Sequence, residues 1–275
     1  MANSPTIALI IPARNEELSL PGVLSRVPKQ ITQVVVVDNG STDGTAQVAV
    51  AYGATIVSEP VAGYGRACLT GLAALRNDPP DIVAFVDADG SDDLACLPVL
   101  IAPVVSGEQD FVLGERIPAS RKALSFQQRF GHLLATGLIR LFWKHGYRDL
   151  GPMRVIGWDA LERLGMTDRD FGWTVEMQVR AIRQRLRIQE LPVPYHQRSA
   201  GKSKISRTLS GTFKAGSTIL WVIGREVVRG RALSRHSLPP GGGGLGWGGD
   251  CHGIGVLQPH PPPNPLPSRE GGQCF

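Results

Sequence analysis

Residues 82–90 read Ile82-Val83-Ala84-Phe85-Val86-Asp87-Ala88-Asp89-Gly90. Five apolar residues in a row predict a strand buried on both faces. The run ends on two carboxylates, one residue apart, where Gly90 marks a turn. In an extended chain residues i and i+2 point to the same side. Asp87 and Asp89 can therefore face one hard cation at the end of the strand. Oxygen-only ligation suits Mg²⁺ or Mn²⁺, held through one or two carboxylates and completed by substrate phosphates. An acidic turn is the plain alternative for this pair taken alone. An EF-hand loop starting at Asp87 is excluded, because the positions that need Gly and Glu hold Asp92 and Pro98.

Two earlier apolar runs end in the same manner. Residues 6–11 stop at Pro12-Ala13-Arg14-Asn15-Glu16, and residues 33–38 stop at Asn39-Gly40-Ser41. Strands are also expected over 54–58 and 110–113. Helices are expected over 16–27, over 43–52 with Ser41 or Thr42 as the cap, over 65–76 and over 94–105. This alternation predicts an α/β fold with a mostly parallel sheet flanked by helices. Ligands of such sheets bind at the carboxyl ends of the strands, where all three polar clusters fall. After residue 120 the pattern becomes mainly helical, with helices expected over 127–143, 173–186 and 209–228. A turn at Asp149-Leu150-Gly151-Pro152 leads into a short strand ending at 156, and 189–196 is extended. Residues 238–275, rich in Gly and Pro, are expected to be a disordered tail. One domain over 1–237 is expected, with a front half, 1–118, and a back half, 119–237.

The 275 residues carry a net charge of +5, but unevenly. Residues 1–100 hold 5 Lys/Arg and 11 Asp/Glu, whereas 101–275 hold 24 and 13. An acidic half that holds a metal and a basic half that meets an anion would produce this division. Cys68, Cys96, Cys251 and Cys274 lack metal-site spacing, so a reducing compartment is expected. No secretory leader is visible. The apolar run 215–228 is interrupted by Gly224, Arg225 and Glu226 and is too polar to span a bilayer. Two phosphate-binding schemes fail. Gly63-Tyr64-Gly65 is a degraded dinucleotide fingerprint that does not follow the first strand. Gly201-Lys202-Ser203 lacks the upstream glycine of a P-loop.

The set Ile11-Pro12-Ala13-Arg14-Asn15-Glu16, Val37-Asp38-Asn39-Gly40-Ser41, Gly63-Tyr64-Gly65 and Asp87-Ala88-Asp89-Gly90 resembles family 2 glycosyltransferases of the GT-A fold. Later pieces, Leu113-Gly114-Glu115-Arg116, Arg148-Asp149-Leu150-Gly151-Pro152 and Arg198-Ser199-Ala200-Gly201-Lys202-Ser203-Lys204, resemble the branch with dolichyl-phosphate and other polyprenyl-phosphate hexosyltransferases. Two departures stand out. The family often has two aspartates where this chain has Asp38-Asn39, and some relatives place Gln where this chain has Ser91.

The resemblance implies an inverting transfer of a hexose from a UDP- or GDP-sugar, with Asp87 and Asp89 on Mg²⁺ or Mn²⁺. It implies donor binding by Pro12, Arg14, Asn15, Glu16, Asp38, Gly63, Gly65, Asp87 and Ala88. On the basic side, Arg116, Arg129, Arg198, Lys202 and Lys204 would hold an anionic acceptor, a lipid phosphate. If the acceptor were instead a hydroxyl, Asp149 or Glu176 would be the base. Helix 209–228 could lie on a membrane, giving a cytoplasmic protein with peripheral contact at the inner face; no nucleic-acid partner is expected. The rivals are transfer to a soluble or glycan hydroxyl, a nucleotidyltransferase, and a non-catalytic nucleotide-sugar-binding protein.

Overall fold

The computed structural model describes residues 4–120, 126–199 and 209–236. The tail 238–275, Lys202 and Lys204 lie outside the described residues. The described chain forms one seven-stranded sheet of β1(Ile7–Ala13), β2(Gln33–Asp38), β3(Thr55–Ser58), β4(Ile82–Phe85), β5(Phe111–Pro118), β6(Arg154–Gly157) and β7(Ile188–Tyr195). The strand order is β3-β2-β1-β4-β6-β5-β7. Helices α1(Leu20–Leu24), α2(Thr45–Ala51), α3(Tyr64–Leu75), α4(Leu97–Val105), α5(Phe126–Trp143), α6(Trp158–Leu164), α7(Trp173–Arg183) and α8(Leu209–His236) flank it.

The sheet is mostly parallel, as expected, but β6 pairs antiparallel with both β4 and β5. The chain enters β6 straight after the 149–152 turn, beside the carboxyl end of β4, so Arg154 lies opposite Phe85. Pro12 does not end β1 but sits inside it, opposite Val37. β4 pairs only as far as Ile10, so no ladder bond is lost where proline has no N–H. Both faces of the sheet are covered. Ile10, Val35 and Val37 pack with Leu72, Leu75 and Trp173 on one side, and Leu9, Ile11 and Val36 pack with Leu20, Leu97 and Leu100 on the other.

Three helices, α1, α2 and α4, begin later than expected, and the late starts of α1 and α2 free polar residues for the site. α1 starts at Leu20, because Pro21 stands in its first turn, and the Glu16 carbonyl accepts from the amides of Ser19 and Leu20. In front of α2 it is Asp43 that accepts from the amide and hydroxyl of Thr45; Ser41 and Thr42 are engaged with Asn15 instead. α6 was not expected. β5 runs to Pro118 rather than 113, because it pairs with β7 along its whole length.

At the start of α3, Gly65 is pressed against the backbone of the 168–169 loop, where an added Cβ would collide with the Asp168 carbonyl oxygen. Gly65→Ala is expected to cost about 2 kcal/mol, as overpacking against an unyielding neighbour does. Thermal unfolding checks it; an unchanged midpoint would mean that the loop yields freely.

Candidate active site

The carboxyl ends of β1, β2 and β4 open into a cleft of about 310 Å³. Pro12, Ala13, Arg14 and Glu16 line it from β1, Asn39 from β2, and Asp87, Ala88 and Asp89 from β4. Gly63, Tyr64, Asp170, Phe171 and Arg198 complete the wall. A larger cavity of about 490 Å³ lies at the opposite ends of the strands. Its main charged pair, Asp110 with Arg187, is satisfied internally at 2.6 Å, so the chemistry belongs to the first cleft.

The loop after β4 concentrates negative charge. Gly90 supplies its turn at φ +77°, a conformation side chains resist. Asp89 accepts from the Ser91 amide at 2.9 Å, and Asp92 accepts from the Asp87 amide at 3.0 Å. Burial, then the charges of Asp92 and Asp89, push the Asp87 carboxyl well above its ordinary range. Burial also dominates at Asp92, which is pushed up to about 7. Asp92 is 1% exposed, and its Oδ1 has no hydrogen-bond partner. Three crowded carboxylates with an orphaned buried oxygen fit a hard dication. Among the described residues no three acidic, imidazole or thiol side chains form a ready-made cage. One or two carboxylates plus a substrate diphosphate would therefore make up the shell, the usual manner for Mg²⁺.

Arg198 bridges the cleft. It donates to Glu16 Oε1 at 2.8 Å and pairs with Asp89 Oδ2 at 2.9 Å. The segment after β7 is laced to the acidic loop. His196 donates its amide to the Ser91 carbonyl, Ser199 donates to the Asp89 carbonyl, and Tyr195 forms a bridge with Asp92. Glu16 is held in turn by the Ser19 hydroxyl at 2.6 Å, while its own amide donates to Thr45.

The remaining donor-side residues divide. Pro12, Arg14, Glu16, Gly63, Asp87, Ala88 and Asp89 line the cleft. Asn15, with φ +51°, is not a lining residue; its side chain accepts from the Thr42 amide and its amide donates to Ser41, so it ties two loops together. Asp38 accepts from the Ser41 amide at 3.0 Å and is not a lining residue. Gly65 lies beneath the wall. The space that Gly63 and Gly65 leave is taken by the carbonyls of the 168–170 loop, to which Gly65 and Arg66 donate their amides. The glycines thus admit the protein's own backbone; of the two residues expected to bind the donor, Gly63 lines the cleft and Gly65 does not.

On the basic side, Arg116 is committed to Asp149 in a two-pronged pair of 2.7 and 2.8 Å, and its amide donates to the same carboxylate. Its guanidinium lies 5.2 Å from the centre of the Tyr195 ring. Burial would raise the Asp149 pKa, but the Arg116 bonds and charge outweigh it and hold the carboxyl below its ordinary value. Neither residue lines the cleft. Glu176 departs from the expected base more plainly. It is fully buried, accepts from Thr167 and the Asp168 amide and pairs with Arg180 and Arg225, a structural ion network. The Arg129 side chain lies outside the described residues.

Several residues of the site went unread in the sequence. Asn39 donates to the carbonyls of Glu59 and Val61 and accepts from the Gly63 amide. An aspartate could not make the two donations, so the departure from a paired aspartate is a fitted feature. Tyr64 stood in the Gly63-Tyr64-Gly65 motif without a role of its own, Asp92, Asp170 and Phe171 carry no motif, and Arg154, 1% exposed, reaches the region only through the antiparallel β6.

A model of glycosyl transferase family 2 matches residues 8–162. An uncharacterized glycosyltransferase of Mycobacterium tuberculosis is 40% identical over 209 residues, which is 76% of this chain and 94% of the relative. An undecaprenyl-phosphate mannosyltransferase of Micrococcus luteus is 32% identical over 224 residues, covering 74% and 89%. Among solved structures, glucosyl-3-phosphoglycerate synthase from Mycobacterium tuberculosis, in complex with Mn²⁺, UDP-glucose and phosphoglyceric acid, superposes with a TM-score of 0.64 at 22% identity, over 80% of each chain.

Proposed function

Because this chain belongs to glycosyl transferase family 2, we propose that it transfers a hexose from a UDP- or GDP-sugar to a polyprenyl phosphate, inverting the anomeric carbon. The observation that carries the reading is the cleft in which Asp87, Asp89, Glu16 and Arg198 meet at the ends of β1 and β4. The nucleoside would lie toward Arg14 and Asn39. The departing diphosphate would lie toward the acidic loop, where a bound Mg²⁺ or Mn²⁺ would offset its growing charge at Asp89, with Asp87 beside it. Arg198 is already at Asp89, and its fork suits a phosphate group equally. In the transfer, an acceptor oxygen forms the new bond to the anomeric carbon as the bond to the diphosphate breaks.

A phosphate acceptor is ionised at neutral pH and needs positioning rather than deprotonation. That suits a protein whose candidate bases, Asp149 and Glu176, are both spent on arginines. The mannosyltransferase relative supports a lipid phosphate. Peripheral contact with a membrane, on the cytoplasmic side, belongs to the same reading.

The test is an assay of the full chain with labelled UDP- and GDP-hexoses, with Mn²⁺ or Mg²⁺, and with short polyprenyl phosphates or soluble hydroxyl acceptors. Transfer to the lipid phosphate, abolished by EDTA, is the expected result. Transfer only to a hydroxyl acceptor would overturn the acceptor assignment. In the same assay Arg198→Ala should lower kcat/KM by about 10²-fold, the scale of a lost charge-assisted contact in a site. An unchanged value would remove Arg198 from the site.

A further inference from the structure

Helices α5 and α8 pack against each other and against the core, yet each keeps an apolar face in solvent. On α5, Ala135 and Ile139 are buried, while Leu133 and Leu141 are each 70% exposed. Positions 133, 134, 137 and 141 form one stripe along a helix, and all four are exposed. On α8, Val222, Ile223 and Glu226 are buried, while Trp221 is 61% and Val228 67% exposed. A lone exposed leucine is ordinary. Two adjacent helices that both carry apolar stripes mark an interaction surface.

The charge around these stripes selects the partner. α5 contains no acidic residue. α8 holds Lys214, Arg225, Arg229, Arg231 and Arg235 against one acid, Glu226, which is itself buried among arginines. Arg140 and Lys144, at the end of α5, are exposed. The Arg225 guanidinium lies 4.7 Å from the centre of the Trp221 ring, which pairs a cation with an amphipathic aromatic.

We propose that the α5–α8 surface docks on an anionic lipid bilayer, with both helices lying in the interfacial plane. Leucine and tryptophan side chains enter the acyl boundary, and the flanking arginines and lysines meet headgroup phosphates. A second copy of the chain is a poorer occupant, because a self-complementary pairing would bring basic flank against basic flank. The proposal deepens the lipid-acceptor reading and rests on it for its purpose. It also gives that reading a geometry, since His132, on the inner side of α5, comes within 3.1 Å of Asp149, on the basic side of the site.

The experiment floats the full chain with phosphatidylcholine vesicles, with and without phosphatidylglycerol, and free of any polyprenyl phosphate. Co-flotation is expected with the anionic vesicles and should fall as salt is raised. Trp221 emission should shift to the blue on binding. The double variant Leu133→Glu/Leu141→Glu should bind these vesicles at least about tenfold more weakly, because charges replace the buried apolar contact. Its binding of UDP with Mn²⁺ should be unchanged, which shows that it is folded. Three results would overturn the proposal: no flotation at low salt, equal binding by the double variant, or a dimer of the native chain that the double variant splits. A chain that floats but does not glycosylate polyprenyl phosphate sinks the acceptor reading alone. One that does so in detergent yet never floats sinks this surface alone.

Discussion

Asp89→Asn is expected to lower the transfer rate by about 10³-fold, or about 4 kcal/mol of transition-state stabilisation, the upper range for loss of one electrostatic group in a closed site. The amide keeps the size of the carboxylate and can still accept from the Ser91 amide. What is lost is the charge that would hold a cation against the leaving diphosphate. Folding should be undisturbed, because the Asp89 charge adds to the rise in pKa at both Asp87 and Asp92, and Arg198 keeps Glu16 as a partner. The checks are single-turnover transfer, calorimetric titration of Mn²⁺ with UDP, and a melting curve. Weak metal binding with a native midpoint is the expected combination. Native metal binding with slow transfer would assign Asp89 a different role.

Asp149→Asn should act on stability first. The Arg116–Asp149 pair is well buried, with side-chain exposures of 12% and 7%. Neutralising the carboxylate leaves a guanidinium uncompensated, a loss of about 3 kcal/mol or more. For a chain of this size that lowers the melting midpoint by about 6–12 °C. Asp149 is a carboxyl whose folded pKa is lowered, so its stabilisation is present above the unfolded value and fades as pH falls through the folded one. The gap between native and variant proteins should therefore be full at pH 7 and narrow below about pH 4. A variant as stable as the native chain, but inactive, would return Asp149 to the role of base.

Much of this architecture was legible in residues 1–118. Long Val and Ile runs ending in polar clusters leave little freedom beyond a covered sheet with its ligands at one edge, and Gln33–Asp38 is a strand just as its pattern reads. The misreadings have a common source. The length of β5, the direction of β6 and the placing of Glu176 are set by pairings distant along the chain, which hydrophobic period does not encode. The acidic pair stood out because its two residues are neighbours in sequence. Asn39 did not, since its meaning depends on carbonyls twenty or more residues away. Arg116 and Asp149 could be picked out as charged residues, but nothing local says that they spend their charge on each other.

The bond between Arg198 and Glu16 spans 182 positions, and the strand before that arginine runs along the full length of β5. During synthesis on a ribosome, then, the acidic loop and the first strands can assemble early and remain chemically silent. The last wall of the pocket arrives only when some two hundred residues have emerged, so competence waits for β7 and the arginine after it rather than coming with the first half of the fold.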